Sequence, residues 1–140
     1  MMLENLAATE ALAARLATLA RPGDAILLSG ELGAGKSAFA RAFLRAAAGD
    51  AGLEVPSPTF TLVQSYALPG GGQAHHLDLY RLGDASELAE LGLEEMAQDI
   101  MLIEWPERMA EPPEGALRLH LSILDEDRRE ARLEGWEGRL

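Results

Sequence analysis

The chain predicts an α/β fold in which parallel strands are extended by antiparallel hairpins, and three stretches carry that reading. Residues 25–29, 30–37 and 37–48 read as a strand, a glycine-rich loop and a helix in succession, the order of a parallel α/β unit. Ile100-Met101-Leu102-Ile103 is short and wholly apolar, as a central strand buried on both faces requires. Residues 59–67 and 73–81 flank a loop rich in glycine and read as an antiparallel hairpin.

The elements follow in order. Thr9 reads as the N-cap of a helix over 9–20, where Leu12, Leu16 and Leu19 recur at helical spacing and face a core. Arg21-Pro22-Gly23-Asp24 turns the chain into the first strand. Phe39 and Phe43 mark the buried face of the helix 37–48, and Gly49 ends it. Pro56 and Pro58 stiffen the approach to the strand 59–67. Residues 68–72 are the hairpin loop. Asp84 with Glu87 resembles a capping box before a helix that Gly92 interrupts. Pro106 suits the first turn of a helix, and Pro112-Pro113 is a loop. Leu117, Leu119, Leu121 and Ile123 alternate as in a strand, Asp125-Glu126-Asp127 turns, and residues 128–136 return. No internal repeat or linker interrupts this order, so residues 1–140 read as one domain.

Composition narrows the function classes. Hydrophobic residues make up 48% of the chain, enough for a core, with Ala and Leu carrying much of it. No run of about 18 apolar residues is present, so no membrane span is expected. Residues 1–19 contain Glu4 and Glu10 and no early basic cluster, unlike a signal peptide. The absence of cysteine excludes disulfides and thiolate metal sites and fits a reducing cytoplasm. The net charge of −11 opposes unaided binding to nucleic acid, which calls for a basic surface.

The chemistry concentrates in Gly30-Glu31-Leu32-Gly33-Ala34-Gly35-Lys36-Ser37, which matches the phosphate-binding loop G-x-x-x-x-G-K-[ST]. Lys36 is the only lysine among 12 basic residues. Lysine is a compact point charge on a flexible stem, whereas arginine is a planar fork. A chain that otherwise uses arginine keeps lysine where one charge must reach between phosphates. The glycines let backbone N–H groups converge on phosphate oxygens, and the following helix adds its positive end. Lys36 is expected on the β- and γ-phosphates and the Ser37 hydroxyl on Mg2+.

Glu104 follows the apolar run 100–103 at the carboxyl end of a strand, where open α/β sheets bind ligands. It is the candidate carboxylate for the metal and its waters; the bland reading is a solvated strand-end Glu. Asp78 lies between His76 and Tyr80 on one face of its strand, with Leu77 and Leu79 on the other. It could orient the attacking water or a metal-bound water, or it could belong to the polar outer face of an edge hairpin. Ser57, Thr59 and Thr61 offer hydroxyls that could sense a γ-phosphate, although ordinary strand-edge use fits Thr61 better. His75 and His76 lack a third histidine at ligand spacing, so a histidine metal site is rejected. Arg128 and Arg132 alternate with Glu130 and Glu134, which reads as a solvated face. Guanine specificity is disfavoured, because N-K-x-D needs a second lysine and Asn5 is the only asparagine; ATP is favoured by exclusion.

Four segments together resemble one family. Residues 28–37 resemble its L-x-G-x-L-G-A-G-K-[TS] loop, and Ser57-Pro58-Thr59-Phe60 its S-P-T-F segment. His76-Leu77-Asp78-Leu79-Tyr80-Arg81 resembles its H-x-D-x-Y-R motif, and Leu102-Ile103-Glu104-Trp105 its L-I-E-W. This is the TsaE family, the ATPase subunit of bacterial threonylcarbamoyladenosine synthesis on tRNA. The resemblance runs from about Thr9 to about Glu107 and is weaker beyond. It implies a small P-loop NTPase with central parallel strands, an inserted antiparallel hairpin and helices on both faces. It implies slow ATP hydrolysis, docking on a TsaB–TsaD pair, and turnover that resets that complex. Carried over by motif, Lys36 binds phosphate, Ser37 and Glu104 serve Mg2+, Asp78 belongs to the hydrolytic site, and Thr59 lies in a switch-like segment. Trp105 matches a family position without an assigned role. Ser37 stands where the family usually has Thr, and either hydroxyl can meet the metal.

A small-molecule kinase of the P-loop class is the competing reading. It needs an acceptor pocket and an Arg-rich lid, for which a chain of 140 residues leaves little room. A nucleotide-binding module without catalysis is a third class, and Glu104 and Asp78 argue against it.

Overall fold

The computed structural model describes residues 1–58, 61–83, 87 and 90–140. Its strands are β1 (Met2–Leu3), β2 (Ala25–Ser29), β3 (Val63–Ala67), β4 (Gln73–Asp78), β5 (Ile100–Glu104), β6 (Leu117–Ile123) and β7 (Arg129–Glu134). Among the described residues the helices are α1 (Leu6–Leu19), α2 (Lys36–Ala48) and α3 (Leu93–Met96), with a 3-10 turn at Pro106–Arg108. Among the described residues one sheet forms, in the order β1-β7-β6-β2-β5-β4-β3. β2 runs parallel to β5 and β6, and β4 runs parallel to β5. The pairs β3/β4, β6/β7 and β1/β7 are antiparallel. The expected parallel centre with hairpin extensions is therefore present, and β5 lies inside the sheet.

Side-chain alternation splits the core in two. Ile26, Leu28, Leu102, Leu117, Leu119 and Leu121 face α1 and α2, where Leu12, Leu16, Phe39 and Phe43 meet them. Each fully buried side chain of this size contributes about 1.5–3 kcal/mol. On the opposite face Leu27, Leu77, Leu79, Met101 and Ile103 pack with Met96 and Met109. Two long helices cover the first face, and among the described residues α3 and the 3-10 turn serve the second.

Several boundaries differ from the sequence reading. α1 starts earlier, because Asn5 is its N-cap and accepts from the Ala8 amide at 2.9 Å. Thr9 is instead a buried helical residue. α2 ends as expected at Gly49, which takes a left-handed conformation and donates to the Ala46 carbonyl. β3 begins only at Val63, after Leu62 with φ 66°, a value uncommon for a residue with a side chain. β4 stops at Asp78, so Tyr80 and Arg81 lie in a turn. β7 is shorter than 128–136 at both ends. The Asp84 cap, Phe60 and Thr59 lie outside the described residues. No described helix is long and apolar enough to cross a membrane.

Candidate functional site

The loop between β2 and α2 is shaped by two glycines. Gly30 has φ 141°, and a Cβ there would run into the backbone carbonyl of Leu121 in β6. Gly35 caps α2 with φ 106° and no side-chain cap, which leaves the first helical amides free for an anion. Lys36 is the first residue of α2 and is buried, not an exposed loop lysine. Its ammonium donates to the carbonyls of Gly30 and, at 3.0 Å, of Glu31. It also lies 4.3 Å from the centroid of the Trp105 ring. Burial lowers the Lys36 pKa, and the charges of Glu104, Glu107, Asp78 and Glu31 partly counter it.

The sheet supplies the acids. Parallel pairing of β4 with β5 sets Asp78 beside Glu104, and pairing of β2 with β5 sets Leu28 beside Glu104. Both carboxylates therefore stand at the strand ends next to the loop. Both are buried, which removes the solvated readings of Glu104 and of the Asp78 face. The His76 Nε2 lies 2.6 Å from Glu104 Oε2, with both side chains 3% exposed. Asp78 accepts from the Tyr80 amide at 3.0 Å. His75 faces the other way along the hairpin, between Ser65 Oγ and Asp99 Oδ2 at 2.7 and 2.9 Å. Its hydrogen bond holds the Asp99 carboxyl below the usual carboxylate range. The two histidines thus serve different carboxylates and do not share a metal.

Trp105 follows β5 with φ 60°, a strained value for a bulky residue. The turn carries its ring over Lys36 and against Tyr80, with ring centroids 5.0 Å apart. A cavity of about 400 Å3 results. Leu32, Gly33, Gly35, Lys36 and Ser37 form one side, and Ser57, Asp78, Tyr80, Arg81, Glu104 and Trp105 complete it. Thr61 bonds locally with Val63 and Gln64, in keeping with its ordinary reading. Among the described residues no cluster of three or more His, Cys, Asp or Glu side chains could hold a metal alone. Ser37 and Glu104 are donors suited to a cation shared with phosphate and water. Sequence reasoning missed His76 as the partner of Glu104 and Tyr80 as a wall. The signal was there in the alternation of residues 76, 78 and 80, but it could not show which neighbouring strand they face.

Comparison with known proteins places the chain among relatives of one family. Residues 3–132 match the family model described as "Threonylcarbamoyl adenosine biosynthesis protein TsaE". The TsaE protein of Rickettsia felis is 38% identical over 92% of this chain and 75% of its own length. That of Bacillus subtilis is 38% identical over 87% and 76%, and that of Aquifex aeolicus 36% identical over 94% and 92%. The crystal structure of Bacillus subtilis YdiB superposes with a TM-score of 0.74 at 28% identity, over 99% of this chain and 86% of that one.

Proposed function

The chain belongs to the TsaE family of tRNA threonylcarbamoyladenosine biosynthesis, and from that premise we propose that it binds and hydrolyses ATP with Mg2+ while docked on a TsaB–TsaD complex. The observation that carries the reading is one cavity shared by the phosphate loop, Asp78 and Glu104. Lys36 exchanges the carbonyls of Gly30 and Glu31 for the β- and γ-phosphates. Loop amides and the α2 terminus hold the remaining oxygens. Ser37 and Glu104 would hold Mg2+, which would supply positive charge beside the phosphates. His76 fixes one Glu104 oxygen and leaves the other for the metal or its water. Asp78 orients the water that attacks the γ-phosphorus, while the bond to the bridging oxygen breaks and ADP leaves. Thr59 contributes to nucleotide sensing. The setting is the cytoplasm, in keeping with the cysteine-free chain.

The roles separate by mutation. Asp78→Ala should keep ATP affinity but slow phosphate release about 100-fold or more, the scale of a lost proton-handling or water-orienting group. Glu104→Ala should remove most of the Mg2+ dependence of nucleotide binding. Calorimetry with and without Mg2+, together with phosphate release, reads both. Parent-like turnover in both variants would overturn the assignment.

A further inference from the structure

Among the described residues, the sheet face opposite α1 and α2 is only half covered. The second core cluster lies over β4, β5 and the start of β2. Beyond it, on β2, β6 and β7, the same face opens into a cavity of about 350 Å3 under the segment that follows Trp105. Register explains its contents. Ser29, His120 and Arg132 lie side by side across the three strands, and Arg118 lies two residues from His120 on the same face. The Ser29 hydroxyl and the His120 Nδ1 are 2.8 Å apart, which fixes the ring and turns Nε2 away from β2. Leu27, Pro106, Met109 and Pro112 supply an apolar wall.

The basic groups here are set apart by their arrangement, two guanidinium groups and an imidazole lining one cavity. Arg128 and Arg139 are paired with Asp125 and Asp24, and Arg45 and Arg129 donate to backbone carbonyls. Among the described residues Arg118 and Arg132, like Arg15, Arg21, Arg41 and Arg108, pair with no carboxylate, although Glu107 and Glu134 also line the cavity and Glu134 is the cross-strand neighbour of Arg118. In a chain with 23 acidic and 12 basic residues, two guanidinium groups and an imidazole gathered in one cavity are a local concentration of hydrogen-bond donors.

We propose that this face is a docking site for an acidic segment of a protein partner, whose carboxylates meet Arg118, His120 and Arg132 while an apolar side chain rests on Leu27 and Met109. Guanidinium forks match carboxylates in two-point geometry. The apolar wall and the two glutamates suit a peptide better than a polyphosphate strand, which would bring negative charge without apolar groups. The site is built to sense nucleotide. Ser29 precedes Gly30 of the phosphate loop, and Pro106 follows Trp105, whose ring covers Lys36. Movement of Lys36 toward phosphates therefore alters both ends of the docking wall. The proposal rests on the reading above that the chain acts on a TsaB–TsaD complex.

The test compares the parent with Arg118→Glu/Arg132→Glu for affinity to purified TsaB–TsaD in each nucleotide state, and for ATP affinity of the chain alone. Both side chains are exposed, so ATP affinity should stay within about twofold, as expected for sites with no shared partner. Affinity for the complex should fall about tenfold or more, because charge is reversed against a complementary surface. Since the chain has no cysteine, Glu134→Cys carrying a photo-crosslinker should capture a partner peptide with clustered Asp or Glu. Equal affinity of parent and charge-reversed chain, or capture of a peptide without carboxylates, overturns the docking site alone. If the parent binds TsaB–TsaD in no nucleotide state, the partner reading fails first and the docking site falls with it.

Discussion

Lys36 is held by two backbone carbonyls and an aromatic face, so its charge is bound within the loop it serves. Burial lowers its pKa from the ordinary 10.5. Between the lowered value and 10.5 the unfolded chain carries the extra proton, so folding stability rises with pH across that window. Nucleotide binding runs the other way. Phosphates favour the ammonium and raise its pKa, so complex formation takes up protons in the same alkaline window. ATP affinity should therefore decline with rising pH before 10.5 is reached. Calorimetry in two alkaline buffers of different ionisation enthalpy reads the uptake directly. No proton uptake, or affinity flat through the window, would contradict the geometry around Lys36.

At the scale of elements, the loop depends on the strand beside it. Gly30 meets the Leu121 carbonyl of β6, whereas a Cβ on Gly33, also at positive φ, would have nothing within 4 Å. Gly33→Ala should therefore cost only left-handed backbone strain, about 1–2 kcal/mol. Gly30→Ala adds a clash with backbone that cannot rotate away, so it should cost about 3 kcal/mol or more and abolish ATP binding. Urea unfolding of both variants checks the order, and equal losses would refute the β6 contact as the cause. This dependence was not legible in the sequence. The glycine pattern showed where positive φ was needed, but not that β6 would lie parallel to β2. Apolar runs and alternation gave β2, β5, β6 and β7 nearly in place, because their period follows from which faces are buried. β1, with two residues, is too short to leave a period. Exposed Leu6 hid the first turn of α1, whose cap is the chain's only asparagine. At the candidate site the loop, Asp78 and Glu104 could be picked out by motif and strand position. The His76–Glu104 contact required the parallel register of β4 on β5, which no local pattern encodes.

At the scale of the whole molecule, charge decides what the chain can hold without help. The net charge is −11, and the arginines do not gather into a stripe. Several are spent on local acids and carbonyls, as with Arg128 on Asp125 and Arg139 on Asp24 and the Leu19 carbonyl. The remaining concentration, Arg118 with Arg132, shares its cavity with Glu107 and Glu134. A protein that grips nucleic acid through several phosphates releases as many counterions and loses affinity steeply with salt. This surface has no row of cations to do so, and the overall field repels the backbone. The chain alone should therefore leave tRNA unshifted in a gel at about 0.15 M salt, a condition that screens charges beyond roughly 8 Å. Lowering the salt should not rescue binding, since weaker screening strengthens repulsion as well as attraction. With TsaB–TsaD added, any shift should follow the complex and require a nucleotide state that lets this chain dock. Tight, salt-sensitive retention of tRNA by the chain alone would overturn the charge argument. It would also move Arg118 and Arg132 from a protein-docking role to a phosphate-binding one.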